Sequence, residues 1–347
     1  MRSAGFVATA AIALGSLALI GPVAVRWQIP AQCLEHQETR PLDDALTSYF
    51  GVDGLDNALC IIGHFFQQSQ ALPSEPIADI INALLVNCVA AMALFMGIES
   101  TRQGPRGPVA WPVVIGTAYQ WGGIFFAASV LWLPAFFAAY PEPLATTRAI
   151  PLRDTTLGSG ALLWFIGLGT FAFAVVFHAM HYAHGSVFAH AFIVFQFWPS
   201  LFPLLYPAVR WLAPHPKVVA EAAAASTTAS FLYRAFAAAL TLQHWTSLAI
   251  VLAHSDAMDL VHGLANFVCT YPPDANLIPS WFLVVDGVSV FATMTLLVVA
   301  EARNGARTFA HLVLASIVLG AGAAFSLLCA TREDAIRSTH FGKSKQQ

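Results

Sequence analysis

Acidic side chains inside apolar segments are the residues of this sequence best suited to acid–base chemistry. Asp286 lies in the apolar run 278–300, with Ser289 and Thr293 three and seven residues further on. This spacing predicts a polar stripe on one face of a helix, directed inward. A carboxyl group inside a membrane span is costly and marks a cavity or a partner. Two roles stay open for Asp286: lining a site, or a structural hydrogen bond between helices.

A second acidic block precedes another apolar segment. Asp53 and Asp56 stand with two glycines in residues 50–57, beside the mostly apolar stretch 58–66. Glycines here favour a tight loop that dips into the mouth of a helix bundle. A carboxyl group buried there could act as a general acid. The alternative is a solvated acidic turn that caps the following helix.

Two further ionisable residues lie on one apolar segment, residues 231–254. His244 and Arg234 could each provide a counter-charge for Asp286. A single histidine on an apolar helix more often satisfies a core contact than it serves a site. Near the ends of the run 77–98 stand Asp79 and Glu99, where charge costs little and a structural role is expected.

Histidines and cysteines give no pattern that predicts a metal site. The histidine run holds His178, His181 and His184, followed by His190. Each step of three residues rotates about 60° around a helix, so these side chains do not share one ligand face. We interpret the run as a turn at the membrane interface. The five cysteines, at positions 33, 60, 88, 269 and 329, form no C-x-x-C pair, and we interpret them as core thiols.

Membrane-spanning helices must position these side chains. Of 347 residues 57% are hydrophobic and 10% are charged, whereas soluble domains have about 25% charged residues. This composition excludes an ordinary soluble protein. The net charge is −3 and the basic residues are scattered, so no nucleic-acid partner is expected.

Eight apolar segments approach the roughly 20 residues that a membrane span requires. They are residues 5–25, 77–98, 113–139, 160–180, 187–212, 231–254, 278–300 and 309–330. The sequence therefore predicts an all-α polytopic transmembrane bundle of about seven or eight helices. Residues 1–25 form a signal anchor or first transmembrane helix, 26–330 a multi-span membrane domain, and 331–347 a polar C-terminal tail. With eight spans, seven basic residues fall on one side and eight on the other, so charge does not orient the bundle.

Three blocks in a fixed order resemble fungal integral-membrane terpene cyclases of the ascofuranone and ascochlorin type, and the related accessory cyclases of indole-diterpene biosynthesis. The blocks are FGVDGLD at 50–56, YQWGG at 119–123 and FQFWP at 195–199. The resemblance covers residues 49–199 and is weaker beyond. It implies a secondary-metabolite enzyme that protonates an epoxide on a prenyl chain, usually attached to an aromatic or polyketide core. Ring closure then follows through a carbocation.

The resemblance also implies roles for individual residues. Asp53 and Asp56 match the acidic block, and Trp198 matches an aromatic wall. The polar positions of the other blocks correspond to Gln120 and Gln196, and the remaining substrate-binding candidates are Phe50 and Trp121. We add Asp286 and His244 as catalytic candidates from their place in apolar segments.

The leading hypothesis is thus a terpene cyclase of the endoplasmic reticulum membrane that needs no metal and no cofactor. Its substrate would be a lipid-soluble epoxidised prenyl compound that enters from the membrane lipids. A small-molecule transporter is the alternative, in which Asp286, His244 and Arg234 form a relay. A third possibility is a membrane scaffold whose buried polar residues hold helices together.

Overall fold

The computed structural model describes residues 2–29, 33, 50–71, 75–104, 107–270, 274 and 277–342. Within these ranges the chain is helical and contains no strand, which confirms the all-α prediction. The α-helices are α1 Arg2–Ala24, α2 Asp53–Ala71, α3 Glu75–Glu99, α4 Pro112–Gly122, α5 Leu133–Ala139, α6 Leu152–Thr155, α7 Gly160–His181, α8 Gly185–Leu201, α9 Tyr206–Leu212, α10 Val219–His254, α11 Ala257–Cys269, α12 Ile278–Glu301, α13 Gly305–Leu319 and α14 Ala321–Ile336.

Six helical segments of the described chain are long and apolar enough to cross a membrane. They are Gly5–Ala24, Pro76–Glu99, Leu152–His181, Gly185–Leu212, Val219–His254 and Ile278–Glu301. These six correspond to six of the eight spans expected from the sequence. Two further helices, α2 and α11, lie outside the predicted spans, and α2 contains the mostly apolar stretch 58–66. Both have one apolar and one polar face, as helices at a membrane surface do.

The third predicted span, residues 113–139, is a hairpin that enters and leaves at one end of the bundle. Gly123 follows α4 with φ 85° and ψ 149°, and the chain turns back through the π-helical segment Phe126–Trp132 into α5. The helix α5 packs against Gly107–Ala110, which directly precedes α4. Both ends of this first hairpin therefore lie together.

The eighth predicted span, residues 309–330, is a second hairpin. Gly320, with φ 91° and ψ 148°, separates α13 from α14. Near the end of α14, Arg332 contacts Glu301, the last residue of α12, with 3.1 Å between Nε and Oε2. Since α13 begins four residues after Glu301, both ends of the second hairpin lie at the same end of the bundle.

Each hairpin turn is held by a polar side chain from a spanning helix. Asp286 of α12 accepts the backbone N–H of Phe125 at 2.7 Å. Asn87 of α3 accepts those of Gly322 at 2.7 Å and Ala323 at 3.3 Å. Irregular backbone at membrane depth is tolerated only where the protein pairs its polar groups or a cavity solvates them. The fold thus contains one unit twice, a spanning helix followed by a hairpin, and each spanning helix caps the other unit's hairpin.

Gly123→Ala and Gly320→Ala are each expected to destabilise the protein by about 1–3 kcal/mol, because their backbone region is essentially restricted to glycine. At position 320 the added Cβ would also lie 3.1 Å from Cβ of His244. The control is Gly15→Ala in α1, where no atom lies within 4 Å of the added Cβ. This substitution is expected not to lower the free energy of unfolding. Thermal unfolding of the purified protein in detergent measures the difference, and midpoints equal to wild type in both turn variants would contradict the account.

Buried ion pairs occupy the end of the bundle at which both hairpins begin and end. Arg102 donates to Glu99 at 2.8 Å and also to Glu333. Arg332 contacts Glu99 at 2.9 Å and Glu301 at 3.1 Å. All five residues are at least nine-tenths buried. We call these five residues the ion cluster.

The ion cluster differs from the sequence-based expectation in two respects. Glu99 is completely buried rather than placed at an inexpensive helix end. Residues 331–336, assigned to a polar tail, continue α14 because Arg332 and Glu333 are paired inside the protein. Burial disfavours the charged form of Arg102, but the carboxylates of Glu333 and Glu99 outweigh this, so its pKa lies above the ordinary value.

The opposite end of the bundle carries a disulfide bond between Cys33 and Cys60. The interpretation of all cysteines as core thiols is wrong for this pair, whose separation of 27 residues follows no pattern that marks a disulfide. Cys88 and Cys329 are buried free thiols as expected. The interpretation is also wrong for Cys269, which is a free thiol but exposed. Disulfides persist in oxidising compartments, so this end faces away from the cytoplasm.

The distribution of basic residues supports the same orientation. Among the basic side chains that the structure describes outside α10, Arg26 alone lies at the disulfide end. The other nine lie at the ion-cluster end: Arg102, Arg148, Arg153, Arg210, Lys217, Arg303, Arg307, Arg332 and Arg337. The positive-inside rule therefore assigns the ion-cluster end to the cytoplasm. The sequence-based count of seven against eight basic residues treated each hairpin as a membrane crossing. It therefore placed some basic residues of the ion-cluster end on the wrong side of the membrane.

Labelling of sealed microsomes is expected to show this orientation. Native Cys269, exposed at the end of α11, should react with a membrane-impermeant maleimide only after the membrane is permeabilised. In a Cys269→Ser background, Lys217→Cys at the start of α10 should react without permeabilisation. The opposite pattern would contradict the assignment of the two ends.

Candidate functional site

A cavity of about 300 Å³ lies against the turn of the first hairpin, among the spanning helices. Its polar lining includes Asp286 and Gln120. Most of the remaining wall is apolar and rich in aromatic rings, among them Phe65, Phe66, Tyr119, Phe173, Phe195 and Phe282. We call it the first cavity.

Asp286 is the acidic group of the first cavity. The residue is 5% exposed, and its Oδ1 accepts the N–H of Phe125 at 2.7 Å. The N–H of Ile124 faces the same carboxyl group. These amides begin the second half of the first hairpin, where unpaired N–H groups and the helix dipole favour an acceptor. Oδ1 of Asp286 is thus engaged with the backbone of the turn, and Oδ2 makes no hydrogen bond to the N–H of Phe125.

The polar stripe predicted on α12 is confirmed. One turn further along α12 from Asp286, the hydroxyl groups of Ser289 and Ser16 lie 2.6 Å apart, and this contact joins α12 to α1. Thr293 and Ser129 lie 3.1 Å apart, which joins α12 to the first hairpin. The stripe thus provides structural hydrogen bonds along its length, and Asp286 in addition lines a cavity.

Gln120 and Gln196 form a reciprocal contact between α4 and α8. Nε2 of Gln120 donates to the carbonyl oxygen of Phe195 at 2.5 Å, and Nε2 of Gln196 donates to the carbonyl oxygen of Gln120 at 3.1 Å. Only Gln120 of these two lines the first cavity. The buried Oε1 of Gln196 has no hydrogen-bond partner among the described residues. Gln196 therefore positions the wall that carries Gln120.

The two candidate tryptophans are separated. Trp121 lines the first cavity and is partly exposed. Trp198 donates from Nε1 to the carbonyl oxygen of Gly169 at 3.1 Å and stacks on Phe202. It lines a smaller void of about 60 Å³ rather than the first cavity. The predicted aromatic wall is present, but it is formed by other residues than Trp198.

The acidic block at residues 50–56 does not form a loop that dips into the bundle. The carboxylate of Asp56 is buried and accepts the N–H groups of Phe50, Gly51 and Val52 at 3.0, 2.9 and 3.2 Å. Asp53 is exposed in the first turn of α2. The block is therefore a capping turn, which was the alternative interpretation, and neither carboxylate lines the first cavity.

The start of α2 nevertheless contributes to the site indirectly. The ring of Phe50 is half exposed and packs edge-on against Phe197 of α8. Further along α2, Phe65 and Phe66 form part of the wall of the first cavity. The capping turn fixes where this amphipathic helix begins, and the helix covers the cavity.

His244 and Arg234 lie away from Asp286. His244 is next to Gly320 at the turn of the second hairpin and lines a different cavity, of about 410 Å³. Arg234 is more than half exposed and contacts Asp334 at 2.5 Å. The structure does not bring these three residues into one relay.

The histidine run forms the predicted turn between α7 and α8. Nε2 of His181 lies 2.7 Å from Oδ1 of Asp79, so a hydrogen bond connects this turn to the start of α3. In the described chain one group of three metal-binding residue types lies within 4.8 Å, formed by Cys33, Cys60 and His64. Its two cysteines are joined in the disulfide and offer no thiolate.

The fold and the site define a polytopic helical membrane protein with one acidic side chain in an aromatic intramembrane cavity. No family model, no curated protein and no solved structure matches the chain. A function must therefore be argued from the site itself. Sequence reasoning found Asp286 but missed Asn87 and both hairpin turns, although the pair Gly122-Gly123 inside an apolar run is a signal for such a turn.

Proposed function

We propose that this protein is a membrane-bound terpene cyclase that protonates an epoxide on a lipid-soluble prenyl chain and closes one or more rings. The observation that carries the proposal is the carboxyl group of Asp286 at an aromatic-lined cavity among the spanning helices. By the resemblance in residues 49–199, the pathway would be fungal meroterpenoid or related secondary metabolism in the endoplasmic reticulum membrane.

The two hairpins provide an internal comparison that supports a chemical role for Asp286. At the second turn an amide oxygen, Oδ1 of Asn87, is sufficient to accept two backbone N–H groups. At the first turn the same structural task is performed by a carboxyl group. Compared with an amide, a carboxyl group adds the capacity to donate a proton. The cavity beside Asp286 is where that capacity would be used.

In the proposed reaction, Oδ2 of Asp286 donates its proton to the epoxide oxygen, and the C–O bond at the more substituted carbon breaks. An alkene of the same chain attacks that carbon, and the cation moves along the chain until a proton is lost. One proton enters and one leaves, so the product is an isomer of the substrate. The N–H of Phe125 stabilises the carboxylate left on Asp286.

The cavity wall suits a cationic intermediate. Aromatic faces stabilise a nearby cation by about 0.5–2 kcal/mol each, and an apolar wall excludes the water that would quench it. The ring of Phe65 contacts the rings of Phe66 and Phe282, with centroids 5.8 and 5.3 Å apart, so the three rings form a continuous aromatic surface. Gln120 and Trp121 line the same cavity, and we propose that they contact the substrate.

Transport is the other candidate, since re-entrant hairpins are typical of transporters and channels. The relay proposed for that function is not assembled, because Arg234 pairs with Asp334 and His244 lines another cavity. The amides of both turns are also occupied by side chains of the protein. The cyclase accounts for the aromatic wall, which a polar transport path does not require.

The test is expression in a fungal host, followed by incubation of microsomes with epoxidised farnesyl and geranylgeranyl aromatic compounds. We expect at least one of them to be converted into a cyclic isomer of unchanged mass, and microsomes without the protein to leave it intact. If no compound of the panel reacts while maleimide labelling shows correct insertion, the proposal is wrong for this substrate class.

A further inference from the structure

The second hairpin has a cavity of its own. It measures about 410 Å³ and lies between α3, α10, α12 and α13, beside the turn at Gly320. Apolar side chains form most of its wall, including Leu84, Leu248 and Phe291. We call it the second cavity. Like the first cavity, it lies beside the turn of a hairpin.

The second cavity has polar side chains in its wall that no described residue pairs with. Both polar atoms of the Asn87 side chain have hydrogen-bond partners. Its Oδ1 caps the turn, and its Nδ2 donates to the carbonyl oxygen of Leu240 and to Gln243. Ser316 donates to the carbonyl oxygen of Leu312. The imidazole of His244 and the hydroxyl group of Ser247 also line the cavity, and neither makes a hydrogen bond to any described residue. Of the two, His244 lies directly beside the turn at Gly320. Polar groups at membrane depth without a partner are costly and indicate a ligand or a function.

The second cavity is accessible from the lipid. Val288 and Ile317 line it and are 55% and 70% exposed, so its rim belongs to the outer surface of the bundle. It is separate from the first cavity, because Asp286 and Val288 on α12 line different cavities. An occupant would therefore arrive sideways from the bilayer and bind without meeting Asp286.

We propose that the second cavity binds a lipid-soluble alcohol with a long apolar chain, whose hydroxyl group hydrogen-bonds to His244. The cavity volume falls in the range of small-molecule sites, which combine a mostly apolar wall with a few polar groups. A neutral imidazole can accept a hydrogen bond from a hydroxyl group or donate one to it. The wall offers no charged side chain, so an ionic headgroup would find no counter-charge there. This proposal stands independently of the cyclase proposal.

The test is photolabelling of the full-length protein in lipid nanodiscs with a diazirine derivative of farnesol. We expect labelled peptides from the cavity walls on α10 and α13, and competition by unlabelled farnesol. Ser316→Phe, which fills the cavity, should lower this labelling by about tenfold or more. Leu314→Phe is the matched control, because it adds the same ring on the lipid-facing side of α13, where position 314 is 64% exposed.

The role of His244 has a separate readout. His244→Phe keeps a ring of similar size and removes the hydrogen bond, so competition by farnesol should weaken about three- to tenfold. Competition by the corresponding hydrocarbon, farnesene, should not weaken. Asp286→Asn should leave the labelling unchanged. Labelling that is spread along the lipid-facing surface, or that Ser316→Phe does not lower, would overturn the proposal.

Discussion

Asp286→Asn is expected to lower the turnover of a prenyl epoxide by about 10²- to 10⁴-fold, the usual contribution of a general acid, and to leave the fold intact. The amide oxygen of asparagine can accept the N–H of Phe125, as that of Asn87 accepts two N–H groups in the second hairpin. The amide cannot donate a proton as an acid. The substitution therefore separates the capping role of Asp286 from its proposed catalytic role.

Two controls accompany this variant. Asp259→Asn removes an exposed carboxylate on α11 and is expected to leave turnover and stability unchanged. The thermal midpoint of Asp286→Asn should equal that of wild type within about a degree or two. A variant that unfolds would mean that the carboxylate itself is needed as a cap, and a variant that retains full turnover would exclude Asp286 as the acid.

Arg102→Met is expected to destabilise the protein by about 3–5 kcal/mol. It leaves the three buried carboxylates of the ion cluster with one arginine, Arg332, instead of two. Glu99 and Glu333 are both fully buried, and both contact the guanidinium group of Arg102. Methionine approximates the length of the arginine stem, so lost packing contributes little. The expected result is a much lower thermal midpoint in detergent and a low yield of folded protein.

Arg337→Gln is the matched control for this prediction. Arg337 is also an arginine near the end of α14, but its side chain is 38% exposed and it contacts the partly exposed Asp334. Surface ion pairs contribute about 0–1 kcal/mol, so its midpoint should remain near that of wild type. Equal midpoints for Arg102→Met and Arg337→Gln would show that the ion cluster does not stabilise the packing of α14 against the ends of α3 and α12.

Much of the fold could be predicted from the sequence because the relevant signals are local. Length and apolarity identify the six spanning segments. The spacing of Asp286, Ser289 and Thr293 identifies the inward face of α12. Each of these inferences needs only the residues of one helix and the helical period.

Other features depend on partners that are distant in the chain. The segments 113–139 and 309–330 are mostly apolar and contain no Asp, Glu, Lys or Arg, so their length predicts a membrane span for each. The chain reverses at Gly123 in the first hairpin and at Gly320 in the second. A side chain of α12 caps the first turn and a side chain of α3 caps the second. The resemblance predicts a catalytic role for the acidic block at residues 50–56. In the structure the carboxylate of Asp56 accepts the backbone N–H groups of the three residues just before α2.

The ion cluster was missed for a related reason. Charges near helix ends usually reach water, and only the packing of α14 against α3 and α12 buries these. The disulfide between Cys33 and Cys60 likewise follows from three-dimensional proximity and not from spacing.

The most direct test of the central claim is to trap the acid that opens the epoxide. A short prenyl epoxide without the alkene that ends the reaction can be protonated but cannot cyclise, so the carboxylate left behind attacks the cation and forms an ester. Peptide mass mapping of the purified protein should then find the intact mass of this compound added to Asp286, and none on Asp286→Asn protein. An adduct on Asp53 or Asp56 instead, or none on Asp286 in protein that turns over the full substrate, would contradict the account.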